Sequence, residues 1–258
     1  MSHANAFWSS ALAVWWRNFL AWRKFWRSSI LLNFGEPLTN LLALGLGLGA
    51  YVSSMMQGVS FLQFIAPGLL AVTAMNAVTF DSGFDGYDRL NSNGVYAAMM
   101  TSPLTVPEIV AGEYLWEATR SLLYGAVFFI VVLAFGLVHS LWVVLLPIPL
   151  ALFGVVFAAP ALYVAARAKT HEQLFYYFSL VITPMFMFSG VFFPVNHLPW
   201  YIADIIYALP LYHGVDLARS LMLGQISLAC LWDLLWILGY AAVLSYLPVK
   251  ALERRLTA

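Results

Sequence analysis

LACLWDLLWILGYAAVLSYL, residues 228–247, carries a single charge, Asp233, in its whole length. A helix needs roughly 20 consecutive apolar residues to cross the hydrocarbon of a bilayer, so this stretch reads as a membrane span. Similar stretches lie at about 30–52, 61–80, 115–138, 141–165 and 174–193, which makes about six crossings, each long enough to span. The composition agrees: 62% of the 258 residues are hydrophobic and 9% charged, with a mean hydropathy of +0.83. An ordinary soluble domain is about a quarter charged. The expected fold is an all-α polytopic membrane protein, with residues 1–258 forming a single transmembrane domain.

The N-terminal residues 1–29 read differently. At helical spacing Trp8, Leu12, Trp15, Phe19, Trp22 and Trp26 share one face, and Arg17, Lys24 and Arg27 lie largely opposite. Tryptophan favours the headgroup level, and lysine and arginine favour the anionic cytoplasmic leaflet. Trp15, Trp16, Arg17, Trp22 and Arg23 therefore mark an amphipathic interfacial helix, with a plain membrane anchor as the alternative reading. Basic residues mixed with tryptophans are not the order of a cleavable signal peptide, so this segment is expected to be retained.

Charge gives the spans a direction. With six crossings, eleven of the twelve lysines and arginines fall on one side and only Arg219 on the other. The positive-inside rule puts that side, and both termini, in the cytoplasm. Net charge is zero and the basic residues are scattered, so no nucleic-acid footprint is present. Cys230 is the only cysteine, which excludes an intrachain disulfide and a cysteine metal cluster.

Two connections carry more information than the rest. Residues 81–113 are too polar for lipid and form the largest cytoplasmic segment. Within them Thr105, Val106, Pro107 and Glu108 match a capping box, so a helix starts there and runs into the third span. Residues 94–100 form a separate short helix that ends before Pro103. On the external side, residues 194–227 hold two apolar pieces punctuated by Pro199 and Pro210, each too short to span. They predict a re-entrant helical hairpin before the last span, with Asp204, His213, Asp216 and Arg219 facing water or protein.

No Walker A phosphate loop occurs, so the chain is not expected to hydrolyse ATP. Gly45 and Gly49 suit close helix packing better than a nucleotide loop, because they sit in an apolar run. His3, His139, His171, His197 and His213 show no metal-ligand spacing. His213 and Asp216 are spaced to pair, either structurally or as a catalytic couple. Glu36 and Asp233 stand near helix N-termini, where the helix dipole favours an anion. With so little intramembrane charge, a transporter would draw its energy from a partner.

Ser189-Gly-Val-Phe-Phe-Pro194, Leu198-Pro199, Leu209-Pro-Leu-Tyr-His213 and Arg219 resemble the C-terminal signature of type-2 ABC transporter permeases. Trp15-Trp16-Arg17-Asn18, Glu36-Pro37-Leu38, Thr101-Ser-Pro-Leu104 and Gly112-Glu113 look like the nodulation-type lipooligosaccharide export permeases within that family. The resemblance implies an inner-membrane permease homodimer joined to two copies of a cytoplasmic ABC ATPase. ATP and Mg would be held by that partner, and no cofactor by this chain. The cargo would be an amphipathic substrate such as a lipid-linked oligosaccharide. A drug or antibiotic exporter of the same fold, and a membrane-embedded transferase, are the alternatives. The resemblance further implies a coupling segment in which Asp85, Asp88, Arg89, Asn91 and Asn93 contact the ATPase, a solvated loop being the other reading. Tyr177, Phe178, Met185 and Phe188 in the fifth span would line the substrate path. The same residue types serve equally for helix packing or lipid contact.

Overall fold

The computed structural model describes residues 3–47, 49–52, 59–195 and 198–256, so the expectation for His197 lies outside the described residues. Most of those residues are helical: α1 (His3–Trp22), α2 (Trp26–Gly47), α3 (Gly49–Val52), α4 (Phe61–Phe80), α5 (Val95–Met100), α6 (Val106–Ala134), α7 (Pro147–Arg167), α8 (His171–Tyr177), α9 (Thr183–Phe188), α10 (Trp200–Tyr207), α11 (Pro210–Leu223), α12 (Leu228–Leu244) and α13 (Leu247–Leu256). α4 continues without a break to Ser92 through two wide π turns, Asp81–Asp85 and Asp88–Ser92. α12 and α13 likewise form one helical stretch, Leu228–Leu256, apolar through α12 and charged in α13.

Among the described residues, four helices are long and apolar enough to cross a membrane: Phe61–Ser92, Val106–Ala134, Pro147–Arg167 and Leu228–Leu256. Six stretches were expected, and the other two correspond to α2 and to the segment from α8 to α9. α2 is 22 residues long and carries Arg27, Ser28, Ser29, Asn33 and Glu36 among its apolar residues. The expected fifth span is built of α8, a π turn at Phe178–Ile182 and α9, and it opens on His171, Glu172 and Gln173.

The bundle is organised around α4, α6 and α7, which pack on one another. Ile65, Leu69 and Met75 of α4, Phe128 of α6, and Phe153 and Phe157 of α7 are fully buried in one core. Small residues set the crossings. A Cβ on Gly154 of α7 would overlap the backbone of Ala118 on α6, and one on Gly45 would lie 2.5 Å from Leu62. Gly45 therefore packs α2 against α4, as its place in an apolar run suggests. Gly112 of α6 leaves room for Val14 and the Ala11 carbonyl of α1.

α6 begins at the expected cap: the Glu108 carboxylate accepts from the Thr105 N–H at 2.7 Å and from its hydroxyl at 2.8 Å. α5 starts after Gly94, whose φ of 60° suits a residue without a side chain. α1 packs along α6 through Ala11, Val14 and Asn18, so its tryptophan face is divided. Trp8 and Trp16 stay exposed, whereas Trp15 donates to Thr119 at 2.9 Å and Trp22 to the Tyr124 hydroxyl at 3.1 Å.

α10 and α11 occupy the segment expected as a hairpin, divided before Pro210. His213 does not pair with Asp216. Its Nδ1 lies 2.7 Å from Asp233 of α12 and its Nε2 2.8 Å from the Tyr207 carbonyl, with the Trp236 ring stacked on it. A partner three residues away on one helix loses to one on the helix packed alongside. Asp216 faces Arg219 at 3.9 Å, and the Arg219 guanidinium covers the Phe64 ring at 3.9 Å and donates to the Gly190 carbonyl at 2.8 Å.

Candidate functional site

The most polar part of the interior lies where α4 runs into its π turns. Asp81 is its centre: Oδ1 accepts from Arg120 of α6 at 2.8 Å and Oδ2 from Arg89 at 2.8 Å. Arg89 also stands 3.5 Å from Glu113, and Arg120 lies 3.9 Å from Glu117. All five side chains are buried, Glu117 completely. Three carboxylates and two guanidiniums at this depth must hold one another, since removing one partner from a buried ion pair costs about 3–5 kcal/mol.

Local geometry explains how the sequence assembles this cluster. Glu113, Glu117 and Arg120 recur at i, i+4 and i+7 and share one face of α6. Asp81 and Arg89 are eight residues apart, and the intervening π turns carry both inward. Wide turns of this kind insert an extra residue and re-aim side chains, and they are common at functional sites. The oxygens of Asp81, Glu113 and Glu117 lie within 4.8 Å of one another, a spacing compatible with a metal ion. Both Asp81 oxygens already accept from arginine, however, so the donor set is that of an ion-pair network.

Asp81, Arg89 and Arg120 of the cluster line one wall of a cavity of about 780 Å³. α1 contributes Arg17, Asn18 and Trp22; α2 contributes Ser28, Ser29, Asn33 and Glu36; α6 contributes Trp116 and Arg120. Phe80, Phe84 and Phe175 form an aromatic side, with Asp85, Asp88 and Asn93 at its edge. Asn18 is 2% exposed, accepts from Arg17 at 2.7 Å, and has an amide nitrogen with no protein partner. Burial lowers the Arg17 guanidinium below its ordinary range, and the like charge of Arg89 adds to this. The Tyr124 hydroxyl ties the walls together, bonding both Trp22 of α1 and Ser29 of α2, while its ring lies under Arg120 at 5.2 Å. The cavity thus offers flat rings beside hydroxyls, amides and mixed charge, which suits an amphipathic molecule.

The residues singled out from sequence divide here. Asp85, Asp88, Arg89 and Asn93 all line the cavity, but Arg89 is buried in the ion network. Asp88 accepts from Ser92 at 2.8 Å and faces His171 at 3.2 Å. Asn91 is exposed on another side and accepts from Arg255 of α13 at 2.8 Å. Of the α1 residues, Arg17 and Trp22 reach the cavity, and Arg23 is exposed in the turn between α1 and α2. Glu36 stands well inside α2 and also faces the cavity, away from any helix terminus. Tyr177, Phe178, Met185 and Phe188 are not lining residues. Phe178 and Met185 are buried in the main core, Tyr177 packs against it, and Phe188 is exposed. Phe175 is the residue of that segment that reaches the cavity.

Sequence reasoning missed Asn18, Asp81, Glu113, Glu117 and Arg120 as a set. The available signal was Glu113, Glu117 and Arg120 on one face of a largely apolar α6. Tyr96 of α5 is fully buried, and desolvation together with the charge of Glu113 raises its phenol well above the ordinary range. It brings the short helix after the π turns into electrostatic contact with the network.

Residues 10–223 match the family model described as ABC-2 type transporter. Nodulation protein J of Rhizobium leguminosarum bv. viciae is 40% identical over 248 residues, covering 95% of this chain and 93% of that protein. Nodulation protein J of Rhizobium meliloti (strain 1021) is 38% identical with the same coverage. A probable multidrug ABC transporter permease, YbhR of Escherichia coli (strain K12), is 25% identical over 182 residues, covering 67% of this chain and 47% of that protein. No solved structure matches the chain significantly.

Proposed function

Because this chain belongs to the ABC-2 type transporter family, a family of membrane permeases, we propose that it is the transmembrane half of an exporter for a lipid-linked or otherwise amphipathic oligosaccharide. Two copies would pair in the inner membrane, each crossing about six times with both termini in the cytoplasm. Two copies of a separate ATPase would bind and hydrolyse ATP with Mg. The observation that carries the reading is the cavity beside the buried ion network, whose aromatic rings and polar groups match the two halves of such a cargo.

The transmission follows from the packing. The exposed part of the segment after α4, with Asp88, Asn91, Asn93 and α5, is the surface offered to the ATPase. When the ATPase dimer closes, α5 and the π turns move. Tyr96 and Arg89 carry that movement to Asp81, and Arg120 passes it to α6 and so to the walls formed by α1 and α2. α2 and α8, which belong to the two other segments expected to cross the membrane, supply part of the cavity wall.

The likeness to a multidrug permease favours a second cargo, an apolar drug, through the same cavity. One experiment separates the two. The chain is co-purified in nanodiscs with candidate ATPases, and ATP hydrolysis is measured with glycolipids and with hydrophobic drugs. Stimulation by the glycolipid supports the proposal. Failure of any ATPase to bind, or stimulation by drugs alone, overturns it.

A further inference from the structure

A second recess, separate from the cavity above, lies between the end of α7 and α13. It measures about 440 Å³ and is lined by four cations: Arg167, the last residue of α7, and Lys250, Arg254 and Arg255 of α13. Among the described residues no Asp or Glu lines it. Ala166 and Ala251 form part of its lining, and their small side chains give it depth. Tyr163 and Tyr246 stand beside the cations, with Arg167 over the Tyr163 ring at 5.7 Å and Lys250 over the Tyr246 ring at 4.8 Å.

The spacing in and just before α13 produces this concentration of charge. Tyr246, Lys250 and Arg254 follow one another at i, i+4 and i+8, while Pro248 and Leu252 on the other face are buried. Like charges gathered in one concavity repel one another, and a bound anion removes that repulsion. Guanidinium groups pair with phosphate oxygens through two parallel hydrogen bonds, and a lysine adds a point charge.

We propose that this recess binds the phosphodiester headgroup of an anionic phospholipid. Its place decides for a lipid over a soluble anion. α7 and the α12–α13 stretch are two of the helices apolar enough to cross the membrane, and the recess sits at the end of α7 beside α13. Tyrosines at such a level are interfacial residues, and basic pockets between spanning helices hold acidic headgroups. The lipid also has a mechanical consequence. Arg255 donates to Asn91 at 2.8 Å, so a headgroup that fastens α13 to α7 also steadies the second π turn, Asp88–Ser92, to which Asn91 belongs.

The test uses the full chain in phosphatidylcholine nanodiscs, with and without phosphatidylglycerol, and counts retained lipids by native mass spectrometry. Phosphatidylglycerol should be retained on the wild type and raise its melting temperature. The double variant Arg167→Gln with Lys250→Gln, which leaves the Arg255–Asn91 bond, should bind it more weakly by roughly fivefold for each cation removed. Arg254→Glu should abolish retention, and because these side chains are exposed both variants should melt like the wild type in pure phosphatidylcholine. Substituting Lys24 and Arg27 by Gln should leave retention unchanged. Equal retention on wild type and both recess variants overturns the proposal. So does equal stabilisation by inorganic phosphate, which would make this an anion site without a lipid, or loss of ATPase binding with lipid retention intact, which would make it a protein contact.

Discussion

The stretches Phe61–Ser92 and Leu228–Leu256 are both apolar enough to cross a membrane, yet the fold uses them in opposite ways. In the most apolar part of the first, 78% of residues are buried inside the protein, and in the second only 17%. The first is the central post of the bundle, and the second turns Leu228, Leu231, Trp232 and Leu235 outward. Lipid and protein interior are similarly apolar, so hydropathy does not distinguish a helix that meets helices from one that meets the bilayer or another subunit. The distinction lies in small residues and buried polar ones. The first stretch holds Gly68 against Val191 and anchors Asp81, whereas in the second Gly239 has nothing within 4 Å of its missing Cβ.

Substitutions can break this contrast, beginning with the largest effect. Asp81→Ala strips two buried arginines of their shared carboxylate and should cost about 3–5 kcal/mol, read as a fall in melting temperature in nanodiscs. A loss near zero would mean that the network does not hold the post in place. On the outward helix the comparable site is Asp233, one of its few buried residues. Asp233→Asn weakens the bond to His213 and should cost about 1.5–3 kcal/mol by the same measurement. Gly68→Leu forces a side chain into Val191, including its backbone, and should cost about 1–3 kcal/mol, with Gly239→Leu as the matched control at nearly no cost. Leu235→Ala should change stability by less than about 0.5 kcal/mol. A larger loss would show that the outward face packs on a second copy of the chain, which chemical crosslinking would then detect.

Features that depend on neighbours in sequence were legible without the structure. The Thr105–Glu108 cap, the break before α5 and the packing role of Gly45 are local, decided by a few adjacent residues or by one small residue in an apolar run. Features that depend on which helix lies alongside were not. Arg89 reads as a surface cation because a polar loop surrounds it in sequence, and only the π turns of α4 direct it to Asp81. Trp15 and Trp22 share an apolar face with Trp8, yet α6 supplies hydroxyl acceptors for two of the three. His213 has Asp216 within reach along its own helix, and Asp233 arrives from a different one. The cavity was least legible of all, because its walls come from α1, α2, α4, α6 and α8, and no interval of sequence brings Asn18, Asn33, Arg120 and Phe175 together.

The Tyr124 hydroxyl has a further consequence. α1 and α2 are separate helices joined by a short turn, and each reaches the same oxygen atom, one through Trp22 and the other through Ser29. Two walls of the cavity therefore turn on a single pin fixed to α6. Tyr124→Phe removes that pin and keeps the ring beneath Arg120, so spin labels on α1 and α2 should report the two helices coming loose together while the ion network stays whole.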